Sequence, residues 1–234
     1  MADDPSKARP SLLRRVWRSV TQPFATRAME RAFAKKFAKH VALEMDALSG
    51  PGSDLEQTRA VRARLPALLR ELGVKTMLDA PCGDFFWMQT LDLDVDYVGA
   101  DIVDALIERN VRRYANARRR FVRLNLQADP LPTVDLVFCR DCLVHFPLRG
   151  VAAALANIKR SGSTYLLTTT FVDRTSNDDI RVARWRPLNL ERAPFLLPPP
   201  DLTIDEECPE PAFRDKRLGL WRIDSIPEVG ERVV

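Results

Sequence analysis

Short apolar segments alternate with helical segments through the middle of the chain, and this alternation limits the fold more than any other feature. The apolar runs predict five strands, at residues 74–80, 95–102, 119–126, 134–141 and 164–171. Helical patterns lie between them at residues 85–91, 103–116 and 149–160. Strands that are apolar along nearly their whole length are typical of a parallel sheet buried on both faces. Because crossovers between parallel strands are right-handed, the pattern predicts a doubly wound α/β sandwich with helices on both faces.

Segments on either side of this core complete the predicted fold. A helix is expected from about residue 54 to residue 72, ending at Gly73. Two late strands, near 201–207 and 217–224, bring the predicted sheet to seven strands. The stretch between residues 172 and 211 is rich in Pro, Asp and Arg and follows no such pattern.

The basic charge of the chain belongs to its N-terminal segment. The net charge is +4 over 234 residues, yet residues 1–50 hold ten Lys and Arg against five Asp and Glu, which gives +5. The remainder is therefore nearly neutral, and the overall charge says little about what it binds. We predict a basic helical N-terminal extension over residues 1–50, broken at Pro23, and a single α/β domain over residues 51–234.

Two strand ends carry residues that suit a nucleoside ligand. In an open parallel sheet, ligands bind at the carboxyl ends of the strands. Gly83 follows the first predicted strand and allows close backbone approach, and Asp101 ends the second strand, where a carboxylate can accept hydrogen bonds from both ribose hydroxyls. The structural alternatives are a simple turn at Gly83 and a helix N-cap at Asp101. A single glycine does not favour a dinucleotide pyrophosphate.

Four segments taken in order resemble a known family. LDAPCGD (78–84), GADI (99–102), LNLQADPLP (124–132) and VDLVFCRDCLVHF (134–146) are similar to successive motifs of the class I S-adenosylmethionine-dependent methyltransferases, within them a bacterial-type group of undefined acceptor. The resemblance covers about residues 55–224, and Pro81 and Cys82 depart from the usual acidic–x–Gly–x–Gly first motif. It implies a Rossmann-like, seven-stranded methyltransferase sheet and S-adenosyl-L-methionine as the cofactor.

The resemblance also implies roles for the residues of the first two strand ends. Asp79, Gly83 and Asp84 are expected to line the methionine end of the cofactor. Asp101 is expected to hold the ribose, and Ile102 to pack against the adenine.

Further roles follow from the third and fourth strand ends. Asn125 and Leu126 stand where this family contacts the adenine edge, and the Asn carbonyl oxygen can accept a hydrogen bond from the amino group. Arg140 is expected to contact the amino-carboxylate of the cofactor. Asp141 or His145, one helical turn apart if a helix starts at this point, is the predicted general base for an acceptor that must lose a proton. The alternative for His145 is a packed or capping histidine.

The acceptor is the least constrained part of the prediction. Trp185 and Arg186 lie in the late region that should cover the cleft, and an aromatic–Arg pair suits acceptor binding. The predicted function is methyl transfer to a small-molecule or glycan-type acceptor. The alternatives are an RNA or protein methyltransferase that uses the basic N-terminal helices, and a non-catalytic S-adenosylmethionine-binding protein.

The cysteines and the hydropathy of the chain bear on its cellular compartment and on metal binding. The four cysteines lack disulfide spacing, no secretory signal is recognised and no run of about 18 apolar residues occurs, so a cytoplasmic protein is expected. The amphipathic pattern of residues 11–48 leaves peripheral membrane contact as a further hypothesis. Cys139 and Cys142 have C-x-x-C spacing, but no second pair completes a zinc site, so no metal is predicted.

Overall fold

The computed structural model describes residues 24–229, and the predicted helical segment before Pro23 lies outside them. The helices are α1 (Phe24–Ala42), α2 (Arg59–Glu71), α3 (Asp104–Tyr114) and α4 (Leu148–Arg160). The strands are β1 (Thr76–Asp79), β2 (Asp96–Asp101), β3 (Arg119–Arg123), β4 (Leu136–Cys139), β5 (Tyr165–Phe171), β6 (Leu202–Asp205) and β7 (Lys216–Arg222). No helix in this part of the chain is long and apolar enough to cross a membrane.

All seven strands form one sheet in the order β3-β2-β1-β4-β5-β7-β6. Strands β1 to β5 pair in parallel, whereas β7 runs antiparallel to both β5 and β6. The order reverses between β1 and β4, which is the point where an open α/β sheet leaves a crevice for a ligand. The predicted seven-stranded α/β fold is thus confirmed.

Two apolar clusters cover the two faces of the sheet. Neighbouring strand residues point to opposite faces, so that Leu78 joins one cluster and Met77 the other. The first cluster includes residues of α1 and α4, and the second includes the buried face of α2. Helix α1 therefore takes part in the core through Met29, which is 3% exposed.

The helix predicted over residues 85–91 is wrong. This segment consists of turns and a short 3-10 helix, Met88–Thr90. Phe85 has a φ of 60°, which a right-handed α-helix excludes, and its ring packs edge-on against Tyr97 and Phe121. Burial of aromatic rings has overridden a helical spacing of apolar residues here.

Several strands end earlier than their apolar runs. Strand β3 ends at Arg123 and β4 at Cys139, although the sequence pattern continues to residues 126 and 141. The residues that follow, including Asn125 and Asp141, leave the hydrogen-bonded ladder and lie at the edge of the sheet. The side chains predicted to bind ligand are among these residues.

Candidate functional site

A cavity of about 690 Å³ lies at the carboxyl edge of the sheet. Its volume is typical of pockets that hold a small molecule or cofactor, which run from roughly 300 to 1,000 Å³. One side, which we call the strand-end wall, is formed by residues at and after the ends of β1 to β4: Asp79, Gly83, Asp84, Asp101, Ile102, Asn125, Leu126, Arg140 and Asp141. The other side, which we call the outer wall, is formed by residues of α1 and of the segment 171–216: Phe33, Lys36, Phe37, Phe171, Trp185 and Phe213.

Asp101 is fixed at the end of β2 by the backbone around it. Its Oδ1 accepts a hydrogen bond from the Val103 N–H (2.9 Å), and its Oδ2 accepts one from the Gly83 N–H (3.2 Å). Burial raises the pKa of the Asp101 carboxyl to about 6, although these backbone hydrogen bonds favour the ionised form. The alternative of a helix N-cap at Asp101 is wrong, because the N-cap residue of α3 is Val103 and no side chain caps this helix.

Asp79 is a second buried carboxyl group in the strand-end wall. It is 3% exposed, and its Oδ2 accepts a hydrogen bond from the Tyr97 hydroxyl. Burial raises the pKa of Asp79 to about 8, and the neighbouring Asp101 adds to the rise. Two carboxyl groups buried side by side favour a cationic ligand, because its charge would stabilise their ionised forms.

The space above Gly83 is taken by another part of the chain. The Gly83 φ is +54°, and a Cβ built there would lie 2.1 Å from the Ser49 hydroxyl oxygen. The next residue, Asp84, receives hydrogen bonds from the Leu48 N–H (2.6 Å) and the Ser49 hydroxyl (2.8 Å). The α-helix predicted over residues 85–91 does not follow Gly83, and the Asp84 N–H donates to Ser49 (2.9 Å).

The remaining predicted nucleoside contacts are buried beside Asp101. Ile102, Leu126 and Asn125 line the cavity and are 9%, 6% and 1% exposed. The side-chain oxygen of Asn125 accepts a hydrogen bond from the Gln127 N–H (3.0 Å), so it also shapes the turn after β3. The structure brings these three residues to the same wall as Asp101.

Arg140 and Asp141 belong to a buried cluster of four charges. Arg140 Nη2 lies 2.7 Å from Glu206 Oε2, and Lys216 Nζ lies 2.7 Å from Asp141 Oδ2. Arg140 also donates to the Gly52 carbonyl (2.8 Å), so its guanidinium forms hydrogen bonds within the protein. Burial alone would raise the pKa of Asp141, but the charges of Arg140 and Lys216 outweigh it and hold that pKa below its ordinary value. An ion-paired carboxylate of this kind is a weak base.

The antiparallel strand explains why Lys216 and Glu206 join this cluster. Lys216 is the first residue of β7 and pairs with Phe171, the last residue of β5. Glu206 directly follows β6, which runs parallel to β5. Neither residue was predicted, because strand direction decides which end of a late strand reaches the cavity and the local sequence carries no sign of it.

His145 is the second predicted base and lies at the outer side of the cavity. Its Nδ1 is 2.7 Å from the Arg184 carbonyl oxygen. A carbonyl oxygen only accepts, so Nδ1 carries the proton and Nε2 keeps a lone pair. Burial lowers the pKa of His145, and the nearby positive charge of Lys36 adds to this effect. The ring is therefore neutral near pH 7, as a proton acceptor must be.

The two residues predicted to bind the acceptor have different positions. Trp185 lines the cavity and is 40% exposed. Arg186 is not among the lining residues, and its guanidinium donates to the carbonyl oxygens of Leu143 (3.1 Å), Phe146 (3.0 Å) and Asp178 (3.0 Å). The expected contact between Arg186 and the acceptor is therefore not supported, because backbone carbonyls occupy its donors.

Helix α1 supplies residues that were assigned to a separate extension and not to the site. Phe33, Lys36 and Phe37 line the cavity, and the Phe33 ring meets the His145 ring edge-on at 5.8 Å. A salt bridge between Glu30 and Arg123 (3.1 Å) fixes the helix to the end of β3. The helical spacing of Phe33 and Phe37 was a usable signal of an apolar face, but it did not show what that face covers.

Metal ligands are not grouped in the described part of the chain. Between residues 24 and 229, no set of three or more His, Cys, Asp or Glu side chains could hold a metal ion. Cys139 and Cys142 are both free and buried.

Comparison with known proteins adds structural likeness only. No family model and no curated protein matches the chain. Burkholderia thailandensis 1,6-didemethyltoxoflavin-N1-methyltransferase, solved with 1,6-didemethyltoxoflavin and S-adenosylhomocysteine bound, is 17% identical with a TM-score of 0.56, over 87% of this chain and 92% of that chain. Magnesium protoporphyrin IX methyltransferase from Synechocystis PCC 6803, solved with S-adenosylhomocysteine, is 14% identical with a TM-score of 0.46, over 63% of this chain and 73% of that chain.

A bacterial CtHen1 methyltransferase domain is 15% identical with a TM-score of 0.44, over 49% of this chain. The present chain spans 66% of that domain, just under two thirds of its length. The strand order and the likeness to the Burkholderia enzyme together show that this chain has the fold of the class I S-adenosylmethionine-dependent methyltransferases.

Proposed function

We propose that this protein binds S-adenosylmethionine and transfers its methyl group to a heteroatom of a small-molecule or glycan-type acceptor. The observation that carries the proposal is that buried carboxyl groups at strand ends share one cavity with a neutral histidine. When bound, S-adenosylmethionine supplies a methyl group already activated on a sulfonium. The protein must then hold the cofactor, align the acceptor with the methyl group and exclude water from the site.

The strand-end wall fits the cofactor chemically. Asp101 presents a carboxylate that can accept from ribose hydroxyls, and Ile102 and Leu126 offer apolar surface for an adenine. Asp79 and Asp101 lie in one wall, and burial disfavours the charge of each. A ligand that carries positive charge would relieve this cost, and this supports a sulfonium compound over a neutral nucleoside.

We assign the proton transfer to His145. Its Nδ1–H bond to the Arg184 carbonyl fixes the ring, and the Nε2 lone pair can take the proton of an acceptor hydroxyl or amine. Asp141 is less suited, because Lys216 and Arg140 stabilise its ionised form. We assign Asp141 to the charged floor of the cavity, where it positions Lys216.

The size of the cavity favours a small acceptor over RNA or a protein. Helix α1 and the segment that contains Trp185 line a space of about 690 Å³, a volume that suits a small molecule beside the cofactor. The Burkholderia enzyme of the same fold was solved with 1,6-didemethyltoxoflavin bound, which is consistent with this choice. Salt-sensitive RNA binding that depends on residues 1–50 would favour the RNA alternative instead.

Titration calorimetry with S-adenosylhomocysteine tests the first half of the proposal, and we expect saturable binding at one site. The absence of binding would overturn it. Tritiated S-adenosylmethionine, incubated with the protein and small-molecule fractions, tests the second half by the appearance of a labelled product. Binding without transfer to any fraction would favour the non-catalytic alternative.

A further inference from the structure

Aromatic rings dominate the outer wall. Phe171, Trp185 and Phe213 form one group, with ring centroids 5.9 Å apart for Phe171–Trp185, 6.1 Å for Phe171–Phe213 and 4.7 Å for Trp185–Phe213. Phe33 and Phe37 of α1 add two partly buried rings to the same cavity. Aromatic side chains bind flat rings well, because they bury large areas and allow stacked or edge-on contacts.

Lys36 lines the same cavity and has no counterion in the described part of the chain. It is partly buried, and its Nζ is 5.5 Å from the centre of the Phe33 ring. Within residues 24–229 it forms no salt bridge and no side-chain hydrogen bond. Burial lowers its pKa, and the positive charge of Arg184 lowers it further. An ammonium group in this position is unfavourable until an anion joins it.

The carboxylates that line the cavity do not serve as that anion. Asp79, Asp84 and Asp101 belong to the strand-end wall, and Asp141 is paired with Lys216 and Arg140. Glu210 is exposed to solvent and lies outside salt-bridge distance of Lys36. Lys36 therefore lines the cavity without an ion-pair partner among residues 24–229.

We infer that the acceptor is a flat aromatic molecule with an anionic group, and that Lys36 binds this group beside His145. The inference rests on the proposed function, since it names the acceptor class of the same site. Lys36 contacts the acceptor and determines specificity, whereas His145 accepts the proton of the neighbouring heteroatom. If the anionic group is next to the reacting heteroatom, Lys36 can bind the anionic group while His145 contacts the heteroatom.

Binding of aryl probes to the full chain saturated with S-adenosylhomocysteine tests the inference. The probes are 2-naphthoate, its neutral analogue 2-naphthamide, and the cationic 2-naphthylmethylammonium, each followed by calorimetry. We expect 2-naphthoate to bind about tenfold more tightly than 2-naphthamide, because it forms a charge-assisted hydrogen bond with Lys36. The cationic probe is expected to bind most weakly.

Two lysine variants make the test specific. Lys36→Met should abolish the preference for 2-naphthoate, and Lys36→Arg should keep most of it. Lys35→Met is the matched control, because Lys35 is the adjacent residue of α1 and is exposed. Lys35→Met should leave the affinities for all three probes unchanged. Both Lys36 variants should bind S-adenosylhomocysteine as tightly as the wild type does.

Each contrary result has a distinct meaning. Equal affinities for the three probes, no binding of any of them, or tightest binding of the cation would overturn the inference about the acceptor. Loss of S-adenosylhomocysteine affinity in Lys36→Met would overturn it as well, because Lys36 would then bind the cofactor carboxylate. Failure of the wild-type chain to bind S-adenosylhomocysteine would instead contradict the proposed function.

Discussion

The two walls of the cavity are built in different ways. In the strand-end wall, Asp79 and Asp101 are 3% and 7% exposed, and hydrogen bonds from Tyr97 or from backbone N–H groups fix their carboxyl groups. In the outer wall, Lys36 is partly exposed and Trp185 is 40% exposed. The first wall is built on the ends of the parallel strands, and the second is built mostly from α1 and from the segment after β5.

This difference separates what is common to a fold from what is particular to one protein. A wall fixed by a parallel sheet suits a ligand that never changes, because its groups are preorganised. Apart from Phe171 at the end of β5, the outer wall consists of side chains from a helix and loops, which can change without disturbing the sheet, so it can set acceptor choice. Variants in the two walls should therefore affect cofactor binding and acceptor turnover separately.

The largest effect is expected from His145→Gln. Loss of the base should lower kcat about 10²- to 10⁴-fold, since proton transfer to a positioned side chain contributes this much. Affinity for S-adenosylhomocysteine should stay within about twofold of wild type, because His145 lies outside the strand-end wall. Single-turnover kinetics together with calorimetry measures both quantities.

A pH profile distinguishes this role from a packing role. In the wild type, kcat should rise with pH through the lowered pKa of His145 and then level off. His145→Gln should lose this limb. A variant that loses activity but keeps the limb would show that His145 only supports the outer wall.

Asp101→Ala is expected to have a smaller effect, and on cofactor affinity instead of turnover. Affinity for S-adenosylhomocysteine should fall by roughly 1.5–3 kcal/mol, or about 10- to 150-fold, when a charge-assisted hydrogen bond is lost. Asp104→Ala is the control, because Asp104 begins α3 nearby with a side chain that is 62% exposed. Equal affinities of Asp101→Ala and wild type would mean that the ribose lies elsewhere.

Sequence patterns predicted the strand-end wall because its information is local. A buried parallel strand is an apolar run, and a polar residue directly after it must lie at the edge of the sheet, as Asp101 and Asn125 do. Two features of this region were not predicted. Phe85 packs in an aromatic cluster instead of an α-helix, and Ser49 occupies the space next to Gly83.

The outer wall and the charged cluster beside it could not be predicted in the same way, because their information is tertiary. The position of Lys216 in the cluster depends on the antiparallel direction of β7, and that of Lys36 in the outer wall depends on where α1 lies against the cavity. Arg186 is a residue type that suits binding of the methyl acceptor, yet its guanidinium donates to three backbone carbonyl oxygens. Composition and spacing do not determine which of two adjacent arginines or lysines faces a cavity.

Gly83→Ala tests the contact between the strand-end wall and Ser49. The variant should lose about 1–2 kcal/mol of unfolding free energy, because an alanine at a φ of +54° is strained and its Cβ meets Ser49. Urea denaturation measures this loss. In the double variant Ser49→Gly, Gly83→Ala, the steric part should disappear, so the two effects should not add. Strict additivity would contradict a direct contact between the residues.

The smallest expected effect is a pH dependence of cofactor affinity that Asp101 controls. If the ribose requires the Asp101 carboxylate, affinity for S-adenosylhomocysteine should fall as pH drops below the raised pKa of about 6. One protonation step predicts about a tenfold loss between pH 7 and pH 5. Asp101→Asn should flatten this slope, and any slope that remains near pH 8 belongs to Asp79.

The same carboxyl group should act on stability in the opposite direction. Its folded pKa lies above the ordinary value of 3.8, so the ligand-free folded chain binds more protons than the unfolded chain between about pH 4 and pH 6. The contribution of Asp101 to the unfolding free energy therefore falls as pH rises through this window, while cofactor affinity rises. Denaturation of wild type and Asp101→Asn at pH 5 and pH 7 isolates that contribution. A wild type that gains stability relative to the variant over this range would show that burial does not govern Asp101, and that its backbone hydrogen bonds do.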